Sequence, residues 1–271
     1  MGFLFRLLAR LPLPLLHNLG ALLGWLVYGL SPSYRRHFRE NTARAGVAAV
    51  RGAAIVEAGK TLCELPKIWL RPQDEVVGRV VKVTGWAHVD GAMQAGRGLL
   101  FMTPHLGCFE ICAQYLAKFR PITVLYRRPK QDWLAPIMEQ GRGANLDLAP
   151  ADMGGVRKLL KTLKSNGMVG MLPDQAPGAG EGEWAPFFGR PAYTMTLAAR
   201  LARSGATVLW CYAERLHYGA GYHLHFLPPT GDVTTPEGIN RQLEQLILLC
   251  PEQYLWGYNR YKKPSGAPEP Q

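Results

Sequence analysis

Hydrophobic positions divide the chain into an apolar lead and a longer body in which short apolar runs alternate with helical stretches. From Leu11 to Leu30 the sequence reads LPLPLLHNLGALLGWLVYGL, twenty residues without a formal charge. That length suffices to span a bilayer core, and a helix lying in the interface fits it equally well. Basic residues flank both ends (Arg6 and Arg10, then Arg35, Arg36 and Arg39), so charge sets no orientation. A cleavable signal needs a small-x-small site after the apolar stretch, and SPSYRRHFREN follows instead. Residues 1–33 therefore read as a retained membrane anchor, the alternative being a buried helix of a soluble protein.

Tyr34 to Trp69 places apolar residues at helical spacing among Ala, Arg and Glu, which predicts one or two helices bounded by Pro66 and Pro72. Strand-like runs follow at VVKVTG, GLLFMTP (98–104), PITVLY (121–126), MVGML (168–172) and ATVLWCYAE (206–214). Between them, Cys108 to Phe119, Trp133 to Gln140, Gly155 to Ser165 and Thr194 to Arg203 read as helices. This alternation predicts an α/β fold, a layered and largely parallel sheet flanked by helices, with the functional edge at the carboxyl ends of the strands. ATVLWCYAE followed by YHLHFLPP predicts a hairpin adding an antiparallel edge. Residues 34–263 form the main domain, with APGAGEGE (176–183) as a mobile loop and PSGAPEPQ (264–271) as a disordered tail.

Composition adjusts this picture in two ways. An excess of 31 Lys+Arg over 20 Asp+Glu gives a formal charge of +11, which favours anionic partners. Nucleic acid is not favoured, since no recognition motif and no alternation of aromatic and basic residues is present. Arg157, Lys158, Lys161 and Lys164 share one expected helix, as a solvated face or as a surface for anionic lipid or an acidic carrier protein. The five cysteines are odd in number and lack a paired C-x-x-C spacing, so a reducing compartment and buried packing roles are expected. Cys108 and Cys112 have no second ligand pair, and His223 and His225 alternate along a strand as surface or packing residues; no metal site is expected.

Candidate chemistry sits in GLLFMTPHLGCFEICAQYL, where His105 follows an apolar strand and Glu110 opens the next helix. On one continuous helix, positions five apart diverge by about 140°. Cooperation therefore requires His105 in the turn and Glu110 in the first helical turn. In that arrangement Glu110 accepts a hydrogen bond from one imidazole nitrogen while the other takes a proton from an attacking hydroxyl. The helix start could add backbone N–H groups for a developing oxyanion. Arg127 and Asp174 follow strands at the same edge, the former suited to a phosphate, the latter to a functional or capping role. No G-x-S-x-G elbow, P-loop or H-E-x-x-H motif competes in suitable context.

The H-x-x-x-x-E run, followed in order by YRRP (126–129), LPDQ (172–175), PFFGRPAYT (186–194) and PEQYLWGYNRYK (251–262), resembles the lipid A biosynthesis acyltransferases, the late lauroyl and myristoyl transferases of Gram-negative bacteria. The resemblance implies a fold similar to glycerol-phosphate acyltransferases and a site on the cytoplasmic face of the inner membrane. It implies transfer of an acyl chain from acyl carrier protein, without a further cofactor, to a hydroxyl of a Kdo-bearing lipid A precursor, with membrane phospholipid as surroundings. A glycerolipid acceptor is the alternative within enzymes, and a non-catalytic lipid-binding protein the alternative outside them. His105 and Glu110 fall on the family's catalytic pair, and Arg127, Arg142, Asp174 and Gln175 on positions tied to substrate binding or site architecture. One departure is visible: Tyr258 and Asn259 precede Arg260 where family members often carry a second basic residue.

Overall fold

The computed structural model describes residues 2–129 and 131–270. Pro12, in an extended conformation, divides the apolar lead into α1 (Gly2–Arg10) and α2 (Leu13–Leu30). The helices α3 (Pro32–Arg44), α4 (Arg51–Leu70) and α5 (Gln73–Val77) lead into the sheet. Pro66 lies inside α4 rather than at its end; Ile68 and Trp69 beyond it are buried, so the last turn is kept by packing, and Pro72 marks the stop. The body then runs β1 (Val80–Thr84), α6 (Trp86–Gln94), β2 (Leu99–Met102), α7 (Phe109–Leu116), β3 (Ile122–Tyr126), α8 (Ala135–Gly143), β4 (Asp147–Pro150), α9 (Met153–Lys164) and β5 (Met168–Met171). It closes with β6 (Gly182–Phe187), β7 (Arg190–Met195), α10 (Thr196–Ala202), β8 (Thr207–Arg215), β9 (Tyr222–Leu227) and α11 (Pro236–Leu249).

Seven strands form one mixed sheet in the order β1-β9-β8-β2-β5-β3-β4, and the hairpin β6-β7 stands apart from it. The α/β class and the flanking helices agree with the sequence pattern. β2 and β5 are buried along their whole length, as expected for parallel strands covered on both faces. Three details differ. β9 pairs antiparallel with β8 as expected, yet it is not the edge, because β1 adds beside it in parallel. β7 takes Thr194 and Met195, so α10 starts at Thr196. The hairpin places Gly182 and Glu183 in a strand where a loop was expected. In the tail, Ala267 is buried and the carbonyl of Pro268 accepts a bond of 2.8 Å from Trp184 Nε1.

α2 is the one helix among the described residues long and apolar enough to cross a membrane. One flank of it is packed on α4 at backbone contact. A Cβ on Gly59 would lie 1.9 Å from the carbonyl oxygen of Gly20, and one on Gly24 2.2 Å from that of Ile55. Only glycine permits this approach. The opposite flank exposes Leu15, Leu22, Trp25, Leu26 and Leu30, and α1 adds Phe3, a contiguous kind of apolar surface that soluble monomers rarely show.

A buried charge cluster ties these helices to the sheet. Arg215 of β8 donates to Glu64 Oε2 (3.0 Å), Glu57 Oε2 (2.6 Å) and Thr61 Oγ1 (2.9 Å) on α4. The hydroxyl of Tyr222 on β9 donates to Glu64 at 2.9 Å, and His17 Nε2 of α2 lies 3.3 Å from the same carboxylate. Burial alone would raise the pKa of Glu64; the charges and hydrogen bonds of Arg215 and His17 overcome it and lower it to about 2. A buried ion cluster this well satisfied ties the register of α4 to the sheet.

Candidate active site

β2 and β5 are parallel neighbours with Met102 opposite Met171. The segments leaving them keep the same offset, so the third residue past each strand end, His105 and Asp174, meet at the carboxyl edge. Asp174 Oδ1 lies 2.7 Å from His105 Nδ1, and its Oδ2 accepts from the His105 backbone N–H at 2.9 Å. Burial pushes the Asp174 carboxyl upward, but the charge of His105 and its two hydrogen bonds, with Arg260 further away, hold it below the ordinary carboxylate range. An ionised Asp174 only accepts, so Nδ1 carries a proton, and in the neutral ring Nε2 presents a lone pair. The amide Nε2 of Gln175 lies 3.2 Å from His105 Nε2. The imidazole side chain keeps 18% exposure and rests against the Phe109 ring at 4.6 Å between centroids.

The turn that bears His105 is clamped from two sides. Gly107 has φ +60°, and a Cβ there would lie 1.9 Å from the Ala213 carbonyl oxygen. Gly107 N donates to Gln253 O (3.0 Å), Cys108 N to Ala213 O (2.8 Å) and Leu255 N to His105 O (3.2 Å). Two of the N–H groups at this helix start are therefore already committed to protein carbonyls rather than held for an oxyanion.

Glu110 stands in the first turn of α7, as the sequence geometry required, but its carboxylate does not face the imidazole. It is 7% exposed and forms a two-pronged ion pair with Arg142 of α8, Nε to Oε2 at 2.9 Å and Nη2 to Oε1. The place next to His105 Nδ1, expected for Glu110, belongs to Asp174. The reason is electrostatic as much as topological, since a buried carboxylate gains more from a bidentate guanidinium than from a neutral ring. Arg142 is thus a partner of Glu110. Arg127 stays out on the surface, 63% exposed and 3.5 Å from Glu181. Gln175 joins His105. Arg260, which was not among the candidates, is 2% exposed and bonds Tyr193 O (2.8 Å), Thr194 Oγ1 (2.9 Å) and Asn240 Oδ1 (3.1 Å), so it braces β7 and α11 near Asp174 instead of facing solvent. Its signal in the sequence was a single arginine within an aromatic run, which spacing alone does not interpret.

The Glu110–Arg142 pair lines a narrow, largely apolar cavity of about 50 Å³, walled further by Phe101, Phe109, Ala113, Leu116, Ile122 and Gly170 among others. Thr103 and Leu172, just past the ends of β2 and β5, line it together with Ile122, the first residue of β3. It therefore reaches the carboxyl ends of β2 and β5, where Phe109 separates it from the His105 ring. Cys112 and Cys211 are in its wall, and Cys108 is buried close by; burial pushes the Cys108 thiol well up, and the neighbouring Cys211 together with burial does the same to Cys112, so neither is a ready nucleophile.

Residues 1–263 match the family described as bacterial lipid A biosynthesis acyltransferase. The chain belongs to this family. It is 30% identical over 222 residues to the lipid A biosynthesis lauroyltransferase of Escherichia coli strain K12, covering 78% of this chain and 71% of that protein. It is 27% identical over 274 residues to the lipid A biosynthesis palmitoleoyltransferase of the same strain, covering 93% and 87%. A lipid A biosynthesis acyltransferase of Haemophilus influenzae is 26% identical over 181 residues. As a lipid A biosynthesis acyltransferase the chain is an enzyme of acyl transfer in lipid A assembly. An imidazole beside an apolar cavity is an arrangement suited to that chemistry.

Proposed function

We propose that the enzyme transfers a fatty acyl chain from acyl carrier protein to a hydroxyl of a Kdo-containing lipid A precursor at the cytoplasmic face of the inner membrane, with His105 as general base. The observation that carries this reading is the His105 imidazole, its Nδ1 on the buried Asp174 carboxylate and its ring against Phe109, which walls an apolar cavity. The acceptor hydroxyl displaces the Gln175 amide and gives its proton to Nε2 as its oxygen attacks the thioester carbonyl. Asp174 stabilises the imidazolium. Collapse of the tetrahedral intermediate breaks the C–S bond, and His105 returns the proton to the departing thiolate. No further cofactor takes part. The Glu110–Arg142 pair shapes the cavity that receives the acyl chain. Arg157, Lys161 and Lys164, exposed on one face of α9, supply a surface for the acidic carrier protein, while the apolar flanks of α1 and α2 rest in membrane phospholipid.

Two measurements test this. Purified enzyme should consume acyl-carrier thioester only when the lipid A precursor is present, and lipid A from a deletion strain should lack one secondary acyl chain by mass spectrometry. Unchanged lipid A would exclude the acceptor, and turnover with a glycerolipid instead would move the enzyme to that substrate. The cavity makes a separate prediction. Ala113→Phe narrows it, and since one methylene in an apolar pocket is worth about 1–3 kcal/mol, kcat/KM for the preferred long donor should fall about tenfold or more while shorter donors suffer less. Equal losses for all chain lengths would remove the cavity from acyl recognition.

A further inference from the structure

The antiparallel pair β8/β9 carries a second cluster of chemistry-bearing side chains. Residues two apart on a strand share a face, so His223 and His225 project together from β9, and the pairing of Glu214 with His223 sets the glutamate on that same face. Glu214 Oε2 lies 3.6 Å from His223 Nδ1 and 3.2 Å from His225 Nε2, and the three ligand atoms all fall within 4.8 Å of one another. Ligands at about 2.0–2.2 Å around a tetrahedral ion stand roughly 3.3–3.5 Å apart, so these two edges already have nearly the length that a shared ion requires.

The surroundings point the same way. His223 Nε2, the ring nitrogen turned from the glutamate, is 2.8 Å from Thr84 Oγ1 on β1, the outer hydrogen bond that orients a ligating imidazole. His225 is stacked on Tyr212 at 4.4 Å and 4°, which fixes its ring plane. The two imidazoles stand 3.8 Å apart between centroids. Lys82 is the cation facing the pair, and it is exposed, so its ammonium can turn into solvent.

We propose that Glu214, His223 and His225 bind one zinc-class divalent cation, with water in the remaining position. Two imidazoles and one carboxylate form a nitrogen-rich set that suits zinc, cobalt or nickel and disfavours calcium and magnesium. The role is structural. Glu214 follows Ala213, whose carbonyl holds Cys108 N, so an ion here braces the ends of β1, β8 and β9 next to the turn that bears His105.

The test is calorimetric titration of the full-length, chelator-stripped enzyme in detergent with zinc chloride. One ion per chain should bind at micromolar affinity or tighter. Binding should vanish in the His223→Asn/His225→Asn double variant and persist in His88→Asn, a change at an exposed histidine elsewhere. Thr84→Val, which leaves every ligand in place, should weaken binding about 10–100-fold and so keeps the proposal testable if the double variant folds poorly. Absence of saturable one-to-one binding, or equal binding by wild type, the double variant and Thr84→Val, overturns it.

Discussion

Replacing His105 with alanine should lower kcat by about 10³–10⁴-fold while the purified enzyme still unfolds in one cooperative transition, its melt lowered only by the hydrogen bond that Asp174 loses, because the ring is partly exposed and its loss opens no core cavity. Asp174→Asn should match it, since an amide cannot hold the Nδ1–H tautomer and a comparable aspartate-to-asparagine change in a serine protease triad costs about 10⁴ in kcat. Glu110→Gln should behave otherwise. It strands the buried guanidinium of Arg142, so its losses should appear in stability and in KM, and the double variant Glu110→Gln/Arg142→Met should regain part of that stability with kcat kept near the wild-type value. Stopped assays with saturating thioester separate the outcomes. A kcat in the double variant as low as that of His105→Ala would restore Glu110 to the chemical step and remove Asp174 as the sole orienting carboxylate.

The largest expected effect on folding comes from Arg215→Met. It takes the guanidinium from the fully buried Glu64 and leaves Glu57 with Lys60 alone, and breaking a buried pair in this way costs about 3–5 kcal/mol. The pH dependence gives a second readout. In the native enzyme the depressed pKa of Glu64 contributes stability that is complete above about 4.5, the unfolded value, and is lost as pH falls through about 2. In the variant the same carboxylate is buried without a guanidinium, so its protonation relieves the fold, and the gap to wild type should narrow between neutral pH and pH 4. Denaturant titrations at the two pH values measure it; a constant gap would place the cost of Arg215→Met in packing instead.

How much of this was legible in the sequence follows from whether an interaction is local. The α/β class came from runs whose period switches between strand and helix, and those runs lie close to β2, β3, β5 and β8. β4, β6 and β7 were hidden because DLAP, GEWAPF and RPAYTM contain proline or acidic residues that depress strand propensity. The site itself was half visible. Sequence placed His105 and Asp174 each after a strand, but only strand order brings residues 69 apart into contact, and order is not encoded in spacing. Glu110, five residues from His105, offered a local partner and lost to a non-local one, because Arg142 from α8 supplies a full positive charge. The cluster Glu214, His223 and His225 escaped notice for the same reason, its third member lying on another strand.

The glycine contact between α2 and α4 has a kinetic consequence. With Gly20, Gly24 and Gly59 riveting the lead helix to the body, the greasy flank cannot swing on a tether, and on the proposed function the depth to which it sinks among lipids would fix the height of the His105 imidazole above the leaflet. On the membrane seating proposed above, an enzyme held so rigidly would meet its acceptor by lateral diffusion in two dimensions. Its rate would then be governed by the mole fraction of precursor within the bilayer, and diluting that precursor with inert lipid should slow turnover even when the total amount in the tube is unchanged.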